Sequence, residues 1–155
     1  MSPRRKGTKR RRGAVLVEAA VVLPLLLLFI LGIMEYGRYL MTMHIFQNAA
    51  REGAAYAAKH TSPVVLSGVT YGNTTSDVTN VINSRLAGQR LGDQSVSVYL
   101  SDSLGNNQGT WSDAAAGQFV CVQISGTYKF AAPSLLSFPA SMSATFKAVK
   151  RSEGN

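Results

Sequence analysis

Residues 14–34 read AVLVEAAVVLPLLLLFILGIM, a stretch in which Glu18 is the only charged residue. A helix of these 21 residues rises about 31 Å, close to the thickness of the hydrocarbon core of a bilayer. An amphipathic helix of a soluble core would carry polar residues along one face, and this stretch lacks that pattern. We therefore predict one transmembrane helix over residues 14–34.

The residues before this stretch are strongly basic. Residues 1–13 contain no acid, and their seven cations are Arg4, Arg5, Lys6, Lys9, Arg10, Arg11 and Arg12. From residue 14 onward, nine Lys or Arg stand against eight Asp or Glu, so the tail carries nearly all of the net charge of +8. Such flanking cations hold the cytoplasmic side of a first transmembrane helix. We expect a cytoplasmic N-terminus and no nucleic-acid partner, because a nucleic-acid binder carries its cations on a folded face.

The apolar stretch is unlike the core of a secretory signal peptide, which is shorter and is followed by small residues at a cleavage site. Here Glu35-Tyr36-Gly37-Arg38 follows the stretch, and a helical pattern continues beyond it. We therefore expect no cleavage downstream of the span. Pro24, inside the span, predicts at most a mild kink.

Glu18 is costly where it stands, because a carboxylate inside a membrane helix costs about 2.5–3.5 kcal/mol on insertion scales. One interpretation places it near the end of the span, with its carboxylate reaching back to the head groups. The other requires a cation supplied by processing or by another subunit. Cleavage of the chain just before the span would create an α-amino group with a reference pKa of about 8, largely charged at neutral pH. In an assembly, that cation could pair with Glu18 of a neighbouring chain.

The order of short motifs resembles that of a known family. Arg11-Arg12-Gly13, Val17-Glu18 and Leu23-Pro24 are followed by Gly32-Ile33-Met34-Glu35-Tyr36-Gly37-Arg38 and by Gln47-Asn48-Ala49-Ala50-Arg51-Glu52-Gly53-Ala54. Together they resemble the TadE-like minor pilins of tight-adherence (Tad) pilus systems, within the type IV pilin superfamily. The resemblance covers residues 11 to about 58, and its motif residues in the stem are Glu35, Tyr36, Gly37, Arg38, Asn48, Arg51, Glu52 and Gly53.

This resemblance implies a function and a set of partners. Gly13 would be the last residue of a leader removed by a prepilin peptidase, Ala14 the new N-terminus, and Glu18 the fifth mature residue. The protein would lie in the bacterial inner membrane, with other pilin subunits and the Tad assembly machinery as partners. Ala19 stands where major pilins of these systems commonly have Tyr, which favours a minor component that assists pilus biogenesis, adherence or secretion.

Beyond the span we predict an α+β fold: a basic leader (1–13), the transmembrane helix (14–34), a helical stem (35–60) and a small extracytoplasmic domain (61–155). Apolar residues recur at steps of three and four up to about Lys59. A second helix, capped by Asp77 and closed by Gly92, is predicted after a loop at 67–76. Period-two patterns predict antiparallel strands at 95–101, 118–130 and 141–149, with a turn or loop at 105–109.

The sequence favours neither catalysis nor cofactor binding. His44 and His60 stand far apart without a metal-ligand spacing, and no nucleophile has a base beside it. The lone Cys121 excludes an intrachain disulfide; a buried thiol and an intermolecular bridge both remain open. The alternative to a pilin-like component is a permanently anchored single-pass protein whose domain binds a ligand outside the membrane.

Overall fold

The computed structural model describes residues 9–62, 64–71, 74–131, 133 and 139–153. Its first element, α1, is one continuous helix of 51 residues from Lys9 to Lys59, with Pro24 inside it. The leader cations Arg4, Arg5 and Lys6 lie outside the described residues, whereas Lys9 and the three arginines that follow it fall in the first turns of α1. The prediction that the span continues as a helix to about Lys59 is confirmed.

The two halves of α1 have different surroundings. The first half, from Gly13 through Ile30, is exposed at every position, and Val15, Leu16 and Phe29 are each at least 64% exposed. This half is long and apolar enough to cross a membrane, and none of its apolar window is buried against the rest of the chain. In the second half, Phe46 and five alanines are buried: Ala49, Ala50, Ala54, Ala57 and Ala58.

The second helix, α2, runs from Thr75 to Arg85 and buries Val78 and Ile82 against the core. Thr74, not Asp77, is its N-cap: the Asp77 amide donates to Thr74 Oγ1 at 3.2 Å, and that hydroxyl donates back to Asp77 Oδ2 at 2.5 Å. The prediction that Asp77 caps the helix was therefore wrong by one turn. Gly92 does not end α2 either.

The chain leaves α2 because Ala87 and Gly88 adopt left-handed backbone conformations, with φ of 49° and 84°. Left-handed residues at this position are the common way in which a helix terminates. Gly92 instead begins the first strand of the main sheet.

The main sheet has four antiparallel strands in the order β4-β3-β5-β6, where β3 is Gly92–Ser101, β4 is Asn107–Gly109, β5 is Phe119–Lys129 and β6 is Ser141–Arg151. The three long strands confirm the predicted ones: β3 begins three residues earlier than predicted, β5 is one residue shorter at each end, and β6 ends two residues later. One face of β5 and β6 buries alternate residues, namely Val120, Val122, Ile124, Ala144, Phe146 and Ala148. This face packs on α1, so the α+β architecture is confirmed.

Three short strands were missed, two of which lie in regions predicted to be turn or loop. Val64–Leu66 (β1) and Val69–Tyr71 (β2) pair as a separate small hairpin across Ser67 and Gly68. Asn107–Gly109, predicted to be turn or loop, is β4 and pairs with the end of β3. A short 3-10 turn at Trp111–Asp113 then buries Trp111, whose Nε1 donates to Thr75 Oγ1 at 3.4 Å.

Contacts along α1 fix the direction of the sheet. Tyr128 and Ala131, at the end of β5, meet α1 at Glu35, whereas Val122 lies near Gly53. On β6, Phe146 stacks on Phe46 at 5.5 Å, and the Glu153 amide donates to the Ala58 carbonyl at 3.1 Å. Strand β5 therefore runs antiparallel to α1 and β6 runs parallel to it. The end of β5 lies at the end of the domain nearest the apolar half of α1.

Gly53 is the position of closest approach between α1 and the rest of the core. A Cβ atom there would lie 2.8 and 2.9 Å from two side-chain carbons of Ile82 and 3.5 Å from Val122 Cγ1. Gly37, one of the other glycines of α1, has nothing within 4 Å of such an atom. The two glycines therefore provide a matched pair for testing how tightly the stem packs on the domain.

We expect Gly53→Val to lower the free energy of unfolding by about 2 kcal/mol, because the added side chain must displace Ile82 from a well-packed core. Gly37→Val should leave it nearly unchanged, because the same side chain enters open space and valine has a slightly higher helix propensity than glycine. Urea unfolding in detergent, followed by fluorescence of the single buried Trp111, measures both. Equal stability of the two variants would contradict the close packing at Gly53.

Candidate functional site

The predicted processing residues, Gly13 and Ala14, lie in α1 at the start of its exposed half. A Cβ atom on Gly13 would have nothing within 4 Å. Glu18 is exposed one turn further on and makes no hydrogen bond or ion pair within the part of the chain that the structure describes. This arrangement leaves the Glu18 carboxylate open to a partner from outside the fold.

Glu35 is a buried acid that lies just past residue 34, where the predicted span ends. It is only 7% exposed. Its Oε1 atom accepts hydrogen bonds from Arg38 Nη2 at 2.6 Å, from the Ala131 amide at 3.1 Å and from the Tyr128 hydroxyl at 3.4 Å. The last two donors come from the end of β5 and the residues after it, so the carboxylate joins the stem to the sheet.

The electrostatics of this junction favour the charged form of Glu35. Burial by itself would raise the pKa of Glu35, but the hydrogen bonds from Arg38 and Ala131 and the positive charge of Arg38 outweigh it and lower the pKa. Arg38 has its own pKa raised, chiefly by the hydrogen bond to Glu35. The pair is therefore ionised at neutral pH.

Arg38 and three aromatic rings complete the junction. Arg38 Nη2 also donates to the Lys129 carbonyl at 3.3 Å, and its guanidinium carbon lies 5.5 Å from the centre of the Tyr128 ring. Tyr39 meets Tyr128 edge-on at 5.3 Å, and Phe130 packs against both rings. We refer to Glu35, Arg38, Tyr39, Tyr128 and Phe130 as the junction cluster.

The motif residues between Asn48 and Gly53 lie about three to four turns beyond Arg38 along α1. Glu52 forms an ion pair with Arg85 at the end of α2. Together with Asn48, Arg51 and Glu52, Arg85 lines an open groove of about 460 Å³. Asn48 and Arg51 are exposed, so this part of the motif presents polar groups to the surroundings while Gly53 on the neighbouring face packs inward.

The structure thus divides the predicted motif residues among three separate places on α1. Gly13, Ala14 and Glu18 lie on the exposed half, Glu35 and Arg38 in the junction cluster, and Asn48, Arg51 and Glu52 around the groove, while Gly53 on the neighbouring face packs against Ile82. Tyr36 is 61% exposed, and Gly37 is also exposed. Sequence reasoning missed Tyr128, Phe130 and Ala131, because their relation to Glu35 depends on a strand more than 90 residues away.

Cys121 is fully buried on the face of the sheet opposite α1, where Gly105 covers it. Its Sγ donates to the Tyr99 hydroxyl at 3.4 Å, and that hydroxyl donates to the Gly105 carbonyl at 3.1 Å. Burial, followed by the interactions with Cys121, raises the pKa of Tyr99 to about 12. The structure supports the buried-thiol interpretation, since an intermolecular bridge would require this face to open.

Comparison with protein families gives a match within α1. Residues 13–55 match the family model described as TadE-like protein. This segment begins at Gly13 and includes Glu18, the ion pair of Glu35 and Arg38, and the groove residues of α1. The match covers somewhat more than a quarter of the chain. No curated protein and no solved structure matches the chain.

We expect Glu35→Gln to lower the free energy of unfolding at pH 7 by about 1 kcal/mol, because three donors lose a charged acceptor while Arg38 stays half exposed. The pKa of Glu35 is lower in the folded state, so its contribution is full above the ordinary value of 4.5 and is lost as pH falls through the folded pKa. The difference between wild type and variant should therefore shrink in acid.

Urea unfolding at pH 7 and in acid, read by Trp111 fluorescence, tests this expectation. Glu52→Gln is the matched control, because the Glu52–Arg85 pair is largely exposed and its loss should change stability by less than about 0.5 kcal/mol. A Glu35→Gln variant no less stable than Glu52→Gln would contradict the junction as a stabilising contact.

Proposed function

We propose that this chain, which is TadE-like over residues 13–55, is a minor pilin-like component that a prepilin peptidase processes after Gly13 and that assists biogenesis of a Tad-type pilus. Its N-terminus faces the cytoplasm, residues 14–34 cross the bacterial inner membrane, and the stem and α+β domain lie on the other side. Its partners are other pilin subunits and the Tad assembly machinery. Adherence or secretion is the process served.

The observation that carries this proposal is the position of Glu18 on an exposed apolar helix. The fold supplies no partner for the carboxylate within the described residues, and every position from Gly13 through Ile30 is exposed. An uncompensated charge in an apolar environment is costly, so a partner must come from elsewhere. Cleavage after Gly13 provides an α-amino cation at Ala14, one turn before Glu18 and on the same helix.

The continuity of α1 fits the same proposal. Because α1 is continuous from the apolar half into the domain core, neighbouring copies or related subunits that pack along the apolar half would hold their domains at a fixed height above the membrane. The Ala14 amine of one subunit could then reach Glu18 of another at a defined axial offset. Such a charge pair specifies register in a way that apolar packing alone does not.

The alternative is a permanently anchored single-pass protein whose domain binds an extracytoplasmic ligand. The exposed groove beside Asn48 and Arg51 is the feature that favours it. In that case the basic leader stays attached, and the spacing between Gly13 and Glu18 has no function.

Processing is tested by Gly13→Leu. The position is exposed with open space around it, so the substitution should leave insertion and domain stability unchanged and should block only the peptidase. In cells with an active prepilin peptidase, we expect mass spectrometry of the membrane-extracted wild type to show an N-terminus at Ala14. The Gly13→Leu protein should retain its leader and should not assemble.

The matched control for this experiment is Gly37→Ala, an exposed glycine of the same helix that lies far from the cleavage position. It should be processed and assembled normally. A functional wild-type protein that still carries residues 1–13 would exclude the pilin-like proposal and would favour the permanent anchor.

Charge pairing is tested by Glu18→Ala and Glu18→Gln. Both variants should insert and be cleaved, but the amount recovered in complex with other pilin subunits should fall by roughly tenfold or more, because the Ala14 amine loses its counter-ion in an apolar environment. Co-purification from membranes measures this amount. Val22→Ala, one turn further along the exposed face, is the control. Normal assembly of Glu18→Gln would remove the carboxylate from the mechanism.

A further inference from the structure

A pocket of about 230 Å³ opens beside the junction cluster, at the end of the domain nearest the apolar half of α1. Three cationic side chains line it, Arg38 from α1, Arg90 from the segment before β3 and Lys129 from the end of β5. Three separate elements therefore place positive charge around one space. We propose that this pocket binds the phosphate of an anionic phospholipid in the leaflet from which the stem emerges.

The position of the pocket supports a ligand from the membrane. Residue 34 ends the predicted span, and Arg38 stands four residues later, about 6 Å further along a helix. The head-group layer of one leaflet is about 5–8 Å thick, so Arg38 lies at the level of the lipid phosphates if the span is centred in the bilayer. The inference thus rests on the membrane-anchored part of the proposal and is independent of the pilus role.

The charge balance of the pocket is favourable for an anion. Glu35 neutralises one cation, but it is buried beneath Arg38, whereas Arg38, Arg90 and Lys129 are all exposed. Both hydrogen bonds of Arg38 described above come from Nη2, and its side chain remains 49% exposed. A guanidinium carries five N–H donors in a fixed fork that matches phosphate oxygens. Glu35 therefore orients Arg38 without covering the rest of its donor edge.

The remaining walls of the pocket suit a lipid head group. Thr42, Gln89 and Tyr128 add polar side chains to the lining. Met41 forms part of the same rim and is 61% exposed. A water molecule occupies about 30 Å³ of liquid volume, so the pocket has room for a hydrated phosphodiester. Because Met41 lies beyond Arg38 on the side away from the span, the choice of a lipid phosphate over a free inorganic anion rests on the level of the pocket at the membrane surface.

The test is native mass spectrometry of the full-length protein in detergent, with phosphatidylglycerol or phosphatidylcholine added at equal concentration. We expect the wild type to retain phosphatidylglycerol selectively. Arg90→Gln combined with Lys129→Gln should weaken retention about tenfold, since each cation near an anionic head group contributes several-fold to affinity. Arg38 is left intact in this variant, so the junction cluster is preserved.

The matched control is Lys147→Gln combined with Lys150→Gln, which removes the same charge from exposed positions of β6. This variant should bind phosphatidylglycerol as the wild type does and also corrects for binding by the leader cations. An equal loss in both double variants, or retention by Arg90→Gln/Lys129→Gln, would overturn the proposal. Displacement of the lipid by equimolar inorganic phosphate would show a free-anion site and would likewise overturn it.

Discussion

One helix has to satisfy two solvents, and the rest of the structure depends on that constraint. Over its first half α1 presents apolar side chains on all sides, which suits lipid or neighbouring helices but not water. Over its second half it offers one face of Phe46 and small alanines, which lets the sheet and α2 approach closely. The domain has no alternative to packing on this stem, because the stem supplies one wall of its core.

The junction cluster lies where these two environments meet. Its carboxylate is held by Arg38 of the stem and by donors at the end of β5, so a tilt of the domain on the stem would break the hydrogen bonds that Tyr128 and Ala131 donate to a buried carboxylate. The exposed edge of the same cluster presents Arg38 toward the proposed lipid phosphate. The Glu35 carboxylate thus joins the domain to the stem through Tyr128 and Ala131, and its ion pair with Arg38 orients a cation beside the proposed phosphate site.

Local patterns in the sequence were sufficient to predict the long elements. The apolar stretch at 14–34, the spacing along the stem and the alternation in β5 and β6 each extend over enough residues to outweigh local ambiguity. Short elements escaped prediction, because β1, β2 and β4 have three residues each and acquire their conformation from pairing. Thr74 was missed as a cap because Asp77, three residues later, carries an equally good capping side chain. The donors around Glu35 are distant in sequence and follow only from the fold, and the assignments of Gly13, Ala14 and Glu18 stay predictions.

The reactivity of the buried Cys121 thiol depends on opening of the domain. Its sulfur is covered on the inside by the sheet and on the outside by the segment around Gly105, so alkylating reagents and oxidants reach it only after that segment lifts or the domain unfolds. Disulfide-linked dimers in a preparation would therefore indicate molecules whose domain has opened. They would not be evidence of association between native molecules. For the same reason, the rate at which Cys121 is alkylated measures how often this segment opens.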